Sequence, residues 1–137
     1  MKKIFLDANI LIDLIENRKL EETGVHNLLK DITDAKIYVS ALSVHIAFYV
    51  LHIKAGSKTH QKASLLLEFL NILPLTESII SRTNKLKYYD FEDTLQYLTA
   101  LDEGCDYILT RDKKDFDKIK KIIPSNMQIV SHVRKMK

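Results

Sequence analysis

The chain has few of the residues that form covalent links, flexible linkers or membrane spans. Among its 137 residues there is one cysteine, Cys105, which excludes an internal disulfide and a metal site built from several thiolates. With three glycines and two prolines, it contains no Gly- or Pro-rich linker. The longest apolar runs, near 4–6 and 47–51, fall far below the ~20 residues that span a bilayer. We therefore expect one globular domain over residues 1–137, because a chain of this length buries a sizeable core unaided.

The charge is unevenly distributed along the chain. The formal net charge is +3, yet nine Lys or Arg face only three Asp from Arg111 onward. A basic C-terminal segment beside acidic residues suits a protein that attracts a polyanion, although a solvated lysine-rich helix explains the charge equally well. Only three apolar residues separate Lys3 from Asp7, too few for a secretory signal. We expect a cytoplasmic protein without membrane association.

Hydrophobic periodicity predicts alternating strands and helices. Glycine at 104 marks the end of the best-defined helix, and Ser40 or Ser43 can cap the helix that ends near residue 53. The predicted strands are 2–6, 36–39, 72–75, 106–110 and 127–130, and the predicted helices are 9–16, 21–32, 40–53, 57–70, 77–87 and 90–103. This order predicts a three-layer α/β/α fold: a mostly parallel sheet of about five strands with helices on both faces.

Acidic residues stand at the ends of two predicted strands and at the start of a predicted helix. Asp7 and Asp112 follow strands, whereas Asp90 and Asp93 open the amphipathic helix 90–103. Functional sites of parallel sheets lie beyond the carboxyl ends of the strands, and converging carboxylates repel one another unless a cation neutralises them. The pattern therefore suggests hard-cation binding. Simple helix capping by Asp7, Asp90 or Asp112 is the structural alternative.

Three segments together resemble the PIN domain family, the small α/β nuclease fold of VapC-like toxins and many RNA-processing ribonucleases. They are FLDANIL at 5–11, DFED at 90–93 and CDYILTRDKKDF at 105–116. The order and spacing of the three segments carry the resemblance, which spans nearly the whole chain. Any one segment alone would be weak.

The resemblance implies a ribonuclease that holds Mg²⁺ or Mn²⁺ with acidic side chains and hydrolyses phosphodiester bonds in RNA. Asp7, Asp93 and Asp112 match the family's catalytic and metal-binding acids. Asn9 is expected to orient Asp7 or a water on the metal. Other accessory candidates are Thr110, Asp90 and Asp115, and the candidate RNA contacts are Arg111 and Lys113. The resemblance also implies a cognate antitoxin and a homodimer.

The sequence departs from the family pattern at the second acidic position. The family has a glutamate within a segment like SALSVHIAF at 40–48, but no carboxylate occurs between Asp34 and Glu68. The missing residue aligns with His45 or Ile46. His45 could be a substitute ligand, although imidazole suits Mn²⁺ better than Mg²⁺ and a lone histidine is more often packed or solvated.

The missing glutamate favours one rival function, a PIN-like domain that binds RNA or a protein partner with weak or no cleavage. A second rival is a phosphatase of the haloacid dehalogenase type, which also begins with a strand and an acidic loop. That chemistry requires a second aspartate two residues after the first, whereas this chain has Asn9 there.

Overall fold

One parallel sheet forms the centre of the molecule. The computed structural model describes residues 1–30, 34–87 and 90–136. Within them, the hydrogen-bonded strand order is β3-β2-β1-β4-β5, and each neighbouring pair is parallel. The strands are β1 (Lys2–Leu6), β2 (Ala35–Ser40), β3 (Asn71–Leu73), β4 (Tyr107–Leu109) and β5 (Gln128–Val130).

Helices connect the strands. They are α1 (Ala8–Glu16), α2 (Leu20–Thr23), α3 (Val25–Leu28), α4 (Ala41–Val50), α5 (Lys58–Phe69), α6 (Glu77–Leu86), α7 (Phe91–Glu103) and α8 (Lys113–Ile122), followed by a 3-10 helix at Val133–Lys135. None of the helices in the described ranges is long and apolar enough to cross a bilayer.

The sheet is buried on both faces because successive side chains of a strand point in opposite directions. Ile4 and Leu6 belong to one apolar cluster, with α1 and α5, whereas Phe5 lies in a second cluster with Tyr97 of α7 and Phe116 of α8. The two clusters place helices on opposite faces of the sheet. The predicted three-layer α/β/α fold and its five-stranded parallel sheet are confirmed.

Two local predictions were wrong in detail. The helix expected over 21–32 is broken at Gly24, which has a left-handed backbone (φ 71°) and separates α2 from α3; residues 31 and 32 lie outside the described part of the chain. The last of the predicted helices was 90–103, but the ten-residue helix α8 follows Asp112 and carries much of the basic segment. Its lysines are largely exposed while Phe116 and Ile119 are buried, so α8 is amphipathic.

Several helix ends match the sequence signals. The Ser40 hydroxyl accepts from the Leu42 N–H and is the cap of α4, whereas Ser43 lies inside the helix. Gly104 ends α7 with φ 77°. Asp90 caps α7, as its Oδ1 accepts a 3.2 Å hydrogen bond from the Asp93 N–H.

The strand order places a crevice between β1 and β4. The connection from β1 leads to β2 on one side of it, whereas β4 lies on the other side. Where the direction of connection reverses in this way, the loops that follow the strands separate and leave room for a ligand. Asp7 follows β1 and Asp112 follows β4, so both lie at this crevice.

Candidate active site

Asp7 is a buried carboxylate at the carboxyl end of β1. It is 2% exposed and occupies the N-cap position of α1, but its side chain makes no capping hydrogen bond. Its Oδ2 instead accepts a 2.8 Å hydrogen bond from the Thr110 hydroxyl. Burial raises the pKa of Asp7 to about 6, the charge of Asp112 adds to the rise, and the Thr110 bond opposes it. The alternative role of Asp7 as a simple helix cap is not supported by this geometry.

Thr110 also positions Asp112. Its oxygen accepts a 2.9 Å hydrogen bond from the Asp112 N–H, so one buried hydroxyl connects the two acidic residues. The Asn9 amide donates a 3.3 Å bond to Asp112 Oδ2. Asn9 was expected to orient Asp7 or a water on the metal, and the structure places its amide against Asp112. A contact of Asn9 with a water on the metal stays a prediction. Asp112 is at the N-cap position of α8 without a side-chain capping bond.

A second group of carboxylates brings together the start of α7 and the first turn of α8. Asp90, Asp93 and Asp115 each offer an oxygen, and these three oxygens lie within 4.8 Å of one another. The pKa of Asp93 is raised to about 8, first by burial, then by its contact with Asp90 and by the charges of Asp7, Asp90 and Glu92. Burial and the charge of Asp90 raise the pKa of Glu92 as well. The acids are thus close enough to oppose one another's ionisation.

The close group differs from the trio that the resemblance implied. Among the described residues, Asp7, Asp93 and Asp112 do not form a group as tight as that of Asp90, Asp93 and Asp115. Asp93 belongs to the close group, and the charge of Asp7 helps to raise its pKa. Asp93 therefore connects this group with the carboxylate that follows β1. The roles of all these residues in binding or catalysis remain predictions.

None of the residues of α4 near the position where the family has glutamate carries a carboxylate. His45 is exposed and its ring stacks with Tyr49, at 6.3 Å between centroids. Ile46 packs against the first apolar cluster. Ser43 is fully buried and donates a 3.2 Å hydrogen bond to Oε1 of Gln96.

Gln96 was not singled out from the sequence. It is fully buried on α7, and its Oε1 also accepts a 3.1 Å bond from the N–H of Ala8, directly after Asp7. The available signal was a polar residue on the apolar side of α7, one turn beyond Asp93. Such a residue must be paired when buried, which makes it a candidate for site architecture.

The predicted RNA contacts are both ion-paired. Arg111 Nε lies 2.9 Å from Oδ2 of Asp13, whose carboxylate is completely buried and also pairs with Arg18. Lys113 Nζ lies 2.7 Å from Oδ2 of Asp117 on the exposed side of α8. Asp13 was another residue that the sequence analysis did not identify. Contact of Arg111 and Lys113 with RNA remains a prediction.

The arrangement can concentrate hard oxygen ligands at one edge of the sheet. Carboxylates from β1, α7 and α8 converge there, and their raised pKa values reflect unfavourable burial of negative charge. A divalent cation would relieve this cost. The donor set contains aspartates without thiolate or imidazole, which suits Mg²⁺ or Mn²⁺.

Comparison with known proteins agrees with this architecture. Ribonuclease VapC1 from Aquifex aeolicus (strain VF5) is 27% identical over 121 residues, which covers 82% of this chain and 83% of that protein. The structure of VapBC2 from Rickettsia felis, bound to a DNA fragment from its promoter, matches with a TM-score of 0.67 at 20% identity, over 93% of this chain and 97% of that one.

Two further solved structures share the fold. FitAB bound to an IR36 DNA fragment matches with a TM-score of 0.65 at 20% identity, over 93% of both chains. Mycobacterium tuberculosis VapC20, described as a sarcin-ricin loop cleaving toxin, matches with a TM-score of 0.64 at 14% identity, over 85% of this chain and 94% of that one. A family model described as "PIN domain" matches residues 4–122. The resemblance seen in the three acidic segments is confirmed, and the chain belongs to the PIN domain family.

Proposed function

We propose that this protein is a metal-dependent endoribonuclease that hydrolyses phosphodiester bonds in RNA, and that it is the toxin of a toxin–antitoxin pair. The observation that carries the proposal is the convergence of carboxylates from β1, α7 and α8 at the crevice beside β1 and β4. The similarity to a protein named Ribonuclease VapC1 supports the same activity.

The cofactor that fits the site is Mg²⁺ or Mn²⁺. Three aspartate oxygens within 4.8 Å of one another can bind a single hard cation without a large rearrangement. Asp93 is the central residue, because it belongs to this group and its pKa also responds to Asp7. When bound, the ion would activate a water molecule and offset negative charge on the scissile phosphate.

The residues of the chain hold this acidic surface in place. Thr110 keeps the Asp7 carboxylate turned towards the crevice, and its contact with the Asp112 N–H fixes the start of α8. Asn9 holds Asp112 from the other side. Positioning of this kind lets an enzyme meet developing charge without reorganising during the reaction. The two hydroxyl groups described beside the site, those of Thr110 and Ser43, donate to Asp7 and Gln96, which favours attack by water over attack by a protein nucleophile.

The RNA backbone would meet the basic residues next to the acids. Lys114 and Lys118 are exposed on α8 and, among the described residues, have no acidic partner within ion-pair distance. Lysine and arginine are the usual phosphate contacts, and such contacts orient the strand without reading its sequence. Arg111 and Lys113 would join them only through atoms that their partners Asp13 and Asp117 leave unused.

A protein partner is part of the proposal. VapBC2 and FitAB, which share this fold, were each solved bound to DNA, and VapC20 is described as a toxin. These likenesses favour a cognate antitoxin that restrains the nuclease. A homodimeric toxin and action in the cytoplasm complete the proposal, and they rest on the family resemblance alone.

Binding of RNA without cleavage is the second candidate function. The absence of a carboxylate on α4 between 41 and 50 favours it, since fewer anionic ligands weaken metal affinity. Retained metal and RNA binding with no hydrolysis would select it.

The test is cleavage of a mixed-sequence RNA by antitoxin-free protein with Mg²⁺ or Mn²⁺, compared with Asp7→Asn, Asp34→Asn and an EDTA control. Asp34 is exposed at the opposite edge of the sheet, before β2, and is therefore a matched control. We expect Asp7→Asn to lose more than about 100-fold in rate, the upper range for groups that only orient ligands. Equal inactivity of folded wild type and Asp7→Asn would refute the nuclease, and cleavage that survives EDTA would refute the metal mechanism.

A further inference from the structure

Three aromatic rings form a row along the outer face of α4. His45, Tyr49 and His52 stand at positions i, i+4 and i+7, which share one face of a helix, and His52 lies just past the helix end. The His45 and Tyr49 rings are 6.3 Å apart between centroids and inclined by 21°, and those of Tyr49 and His52 are 6.5 Å apart. All three residues are exposed, Tyr49 to 73%. We call these three side chains the ring row.

The outer face of α4 is unusual for a helix surface that faces water. The helix, ALSVHIAFYV, has no Asp, Glu, Lys or Arg. Ser43 and Ala47 are buried on its inner side, whereas Tyr49 and Val50 are exposed on its outer side. A helix that is apolar on all sides is normally buried. The outer face of α4 is therefore suited to being covered by a partner molecule.

The backbone at His52 has a conformation that side chains disfavour. Its φ is 49°, in the left-handed region. The His52 N–H donates to the Tyr49 carbonyl at 3.2 Å and the Ile53 N–H to the Phe48 carbonyl at 3.1 Å, which closes the turn that ends α4. Glycine is the usual residue in such a turn, because a Cβ is strained there. The histidine keeps a ring beside Tyr49 in spite of this strain, which indicates that the ring itself is used.

The charges around the ring row are of one sign. Residues 35–67 include four lysines and no aspartate or glutamate. Lys54 and Lys58 are exposed after α4 and at the start of α5, and neither is ion-paired within the described part of the chain. A symmetric contact with a second copy would bring the same lysines together with no acid from this segment to pair them. A polyanion meets no such repulsion, so the charge favours nucleic acid as the occupant.

The ring row begins close to the acidic crevice. Phe5 of β1 pairs with Tyr38 of β2, so Asp7 and Ser40, each two residues further on, are level at the carboxyl ends of neighbouring strands. Helix α4 starts directly after Ser40, and His45 lies in its second turn. Neighbouring strands are about 5 Å apart and five helical residues advance about 7.5 Å. A strand that passes the crevice can therefore continue onto α4.

We propose that the ring row is a stacking platform for the bases of single-stranded RNA, with Lys54 and Lys58 as contacts for its phosphates. Aromatic rings accept any base because every base has a π face, and lysines follow the backbone without reading its sequence. This inference deepens the proposed function and rests on it for RNA as the substrate. The acidic crevice is the place of cleavage, and α4 holds the part of the strand that runs past it.

The test is binding of a labelled oligoadenylate by the antitoxin-free full chain, followed by fluorescence anisotropy in EDTA to prevent metal-dependent cleavage. Tyr49→Ala should weaken binding about 10-fold, within the range for one lost base–aromatic stack, and Tyr49→Phe should keep wild-type affinity. The matched control is Phe69→Ala, since Phe69 is 58% exposed on α5 but adjoins Glu68 in the chain. It should leave the affinity unchanged. Wild-type affinity in a folded Tyr49→Ala would overturn the proposal.

An abasic oligomer and a salt series separate stacking from charge. The abasic oligomer, of the same length, should bind wild type and Tyr49→Ala equally, because it has phosphates but no bases. Lys54→Gln should lower the slope of log affinity against log salt by about 0.7, as expected for one phosphate contact, whereas Tyr49→Ala should keep the slope. Lys85→Gln, on α6, is the control lysine. Equal loss of oligoadenylate and abasic binding in Tyr49→Ala would exclude stacking.

Replacement of His52 opposes stability and binding in one variant. His52→Gly should relax the left-handed backbone and raise the urea midpoint, because glycine adopts φ 49° without strain. The same change removes a ring and should weaken oligoadenylate binding about 5-fold or more. A more stable His52→Gly that binds oligoadenylate like wild type would show that the ring is not kept for RNA, against the proposal.

Oligomeric state and cleavage separate the remaining outcomes. If Tyr49→Ala converts a dimer to a monomer in light scattering, the face belongs to a second copy and the platform is refuted. If wild type cleaves RNA with Mg²⁺ and Tyr49→Ala binds and cleaves equally well, the nuclease stands and the platform falls. If binding depends on Tyr49 but wild type does not cleave, the platform stands and the nuclease falls.

Discussion

Thr110 and Asp7, 103 positions apart in the chain, are joined by a buried hydrogen bond of 2.8 Å between the Thr110 hydroxyl and Asp7 Oδ2. The same hydroxyl oxygen accepts from the Asp112 N–H. One threonine at the end of β4 therefore holds an acid that follows β1 and another that precedes α8. Neither acid can shift without disturbing the other.

The first prediction follows from that bond. Thr110→Val keeps the shape but removes the donor to Asp7 and the acceptor for the Asp112 N–H, so we expect a loss of about 1–3 kcal/mol in free energy of unfolding. It should also raise the pKa of Asp7 above about 6, since the Thr110 bond favours the ionised form. Urea unfolding measures the free energy of unfolding, and Mn²⁺ titration at several pH values follows the pKa of Asp7. Thr110→Ser should restore them, and a failure of serine to do so would contradict the prediction.

The second prediction concerns pH and the metal-free protein. In the folded state the pKa is about 8 for Asp93 and about 6 for Asp7, both above the ordinary value of 3.8. Between 3.8 and these values, the folded state binds more protons than the unfolded state, so stability falls as pH rises. Asp7 and Asp93 both contribute between about pH 4 and 6, and Asp93 alone between 6 and 8.

Chemical denaturation in EDTA at pH 5, 6, 7 and 8 measures this slope. Asp93→Asn should remove the fall in stability between pH 6 and 8, whereas Asp34→Asn should keep that fall. Mn²⁺ should restore stability at pH 8, because the cation favours ionised carboxylates. A wild-type protein whose stability rises steadily from pH 5 to 8 in EDTA, in parallel with Asp93→Asn, would rule out the raised pKa of Asp93.

The third prediction concerns Asp13 and its two arginines. Asp13→Asn leaves Arg111 and Arg18 facing a neutral group, and we expect a loss of about 3 kcal/mol, the lower end for breaking a buried ion pair, since Arg18 reaches water. Asp117→Asn breaks an exposed pair with Lys113 and should cost less than about 1 kcal/mol. Urea unfolding at pH 7 compares the two. Equal losses would show that burial does not set the strength of these pairs.

The fourth prediction concerns Gly24, between α2 and α3. A Cβ there would lie 2.7 Å from His132 Cε1 and 2.8 Å from Val133 Cγ2, in addition to the strain of φ 71°. Gly24→Ala should therefore cost about 1–3 kcal/mol for overpacking beyond the left-handed penalty. Gly104→Ala, at φ 77° with nothing within 4 Å of its Cβ, isolates that penalty of about 1 kcal/mol. Indistinguishable unfolding midpoints for the two variants would contradict the contact with the C-terminal segment.

Sequence patterns predicted the parts of the fold that depend on near neighbours. The apolar run of β1 gave the bounds 2–6 that the structure has, and Asp90 was correctly predicted as the cap of α7. The break in the helix expected over 21–32 was missed, and the left-handed Gly24 at that break lies beside His132 and Val133, more than 100 residues away. Local periodicity carries no information about such a contact.

The features of the site also fall into those that the sequence predicted and those that needed the folded chain. The sequence pointed to Asp7, Asp93 and Asp112 as acids near strand and helix ends, and to Asp90 and Asp115 as accessories. The pairing of Asn9 with Asp112, of Arg111 with Asp13 and of Gln96 with Ser43 required the folded chain. Each of these bonds joins residues 53 to 103 positions apart.

The sequence by itself determined where the strands and most of the helices run, the family to which the chain belongs, and the absence of a carboxylate on α4. The tertiary structure alone decided which acids lie together and which residue of α7 the buried side of α4 contacts: Asp90 and Asp93 meet Asp115, and Ser43 meets Gln96. The physical reason is that the order β3-β2-β1-β4-β5, with helices on both faces, brings distant strand ends to one edge. Hydrogen bonds and charge repulsion act over a few ångströms of space, regardless of separation along the chain.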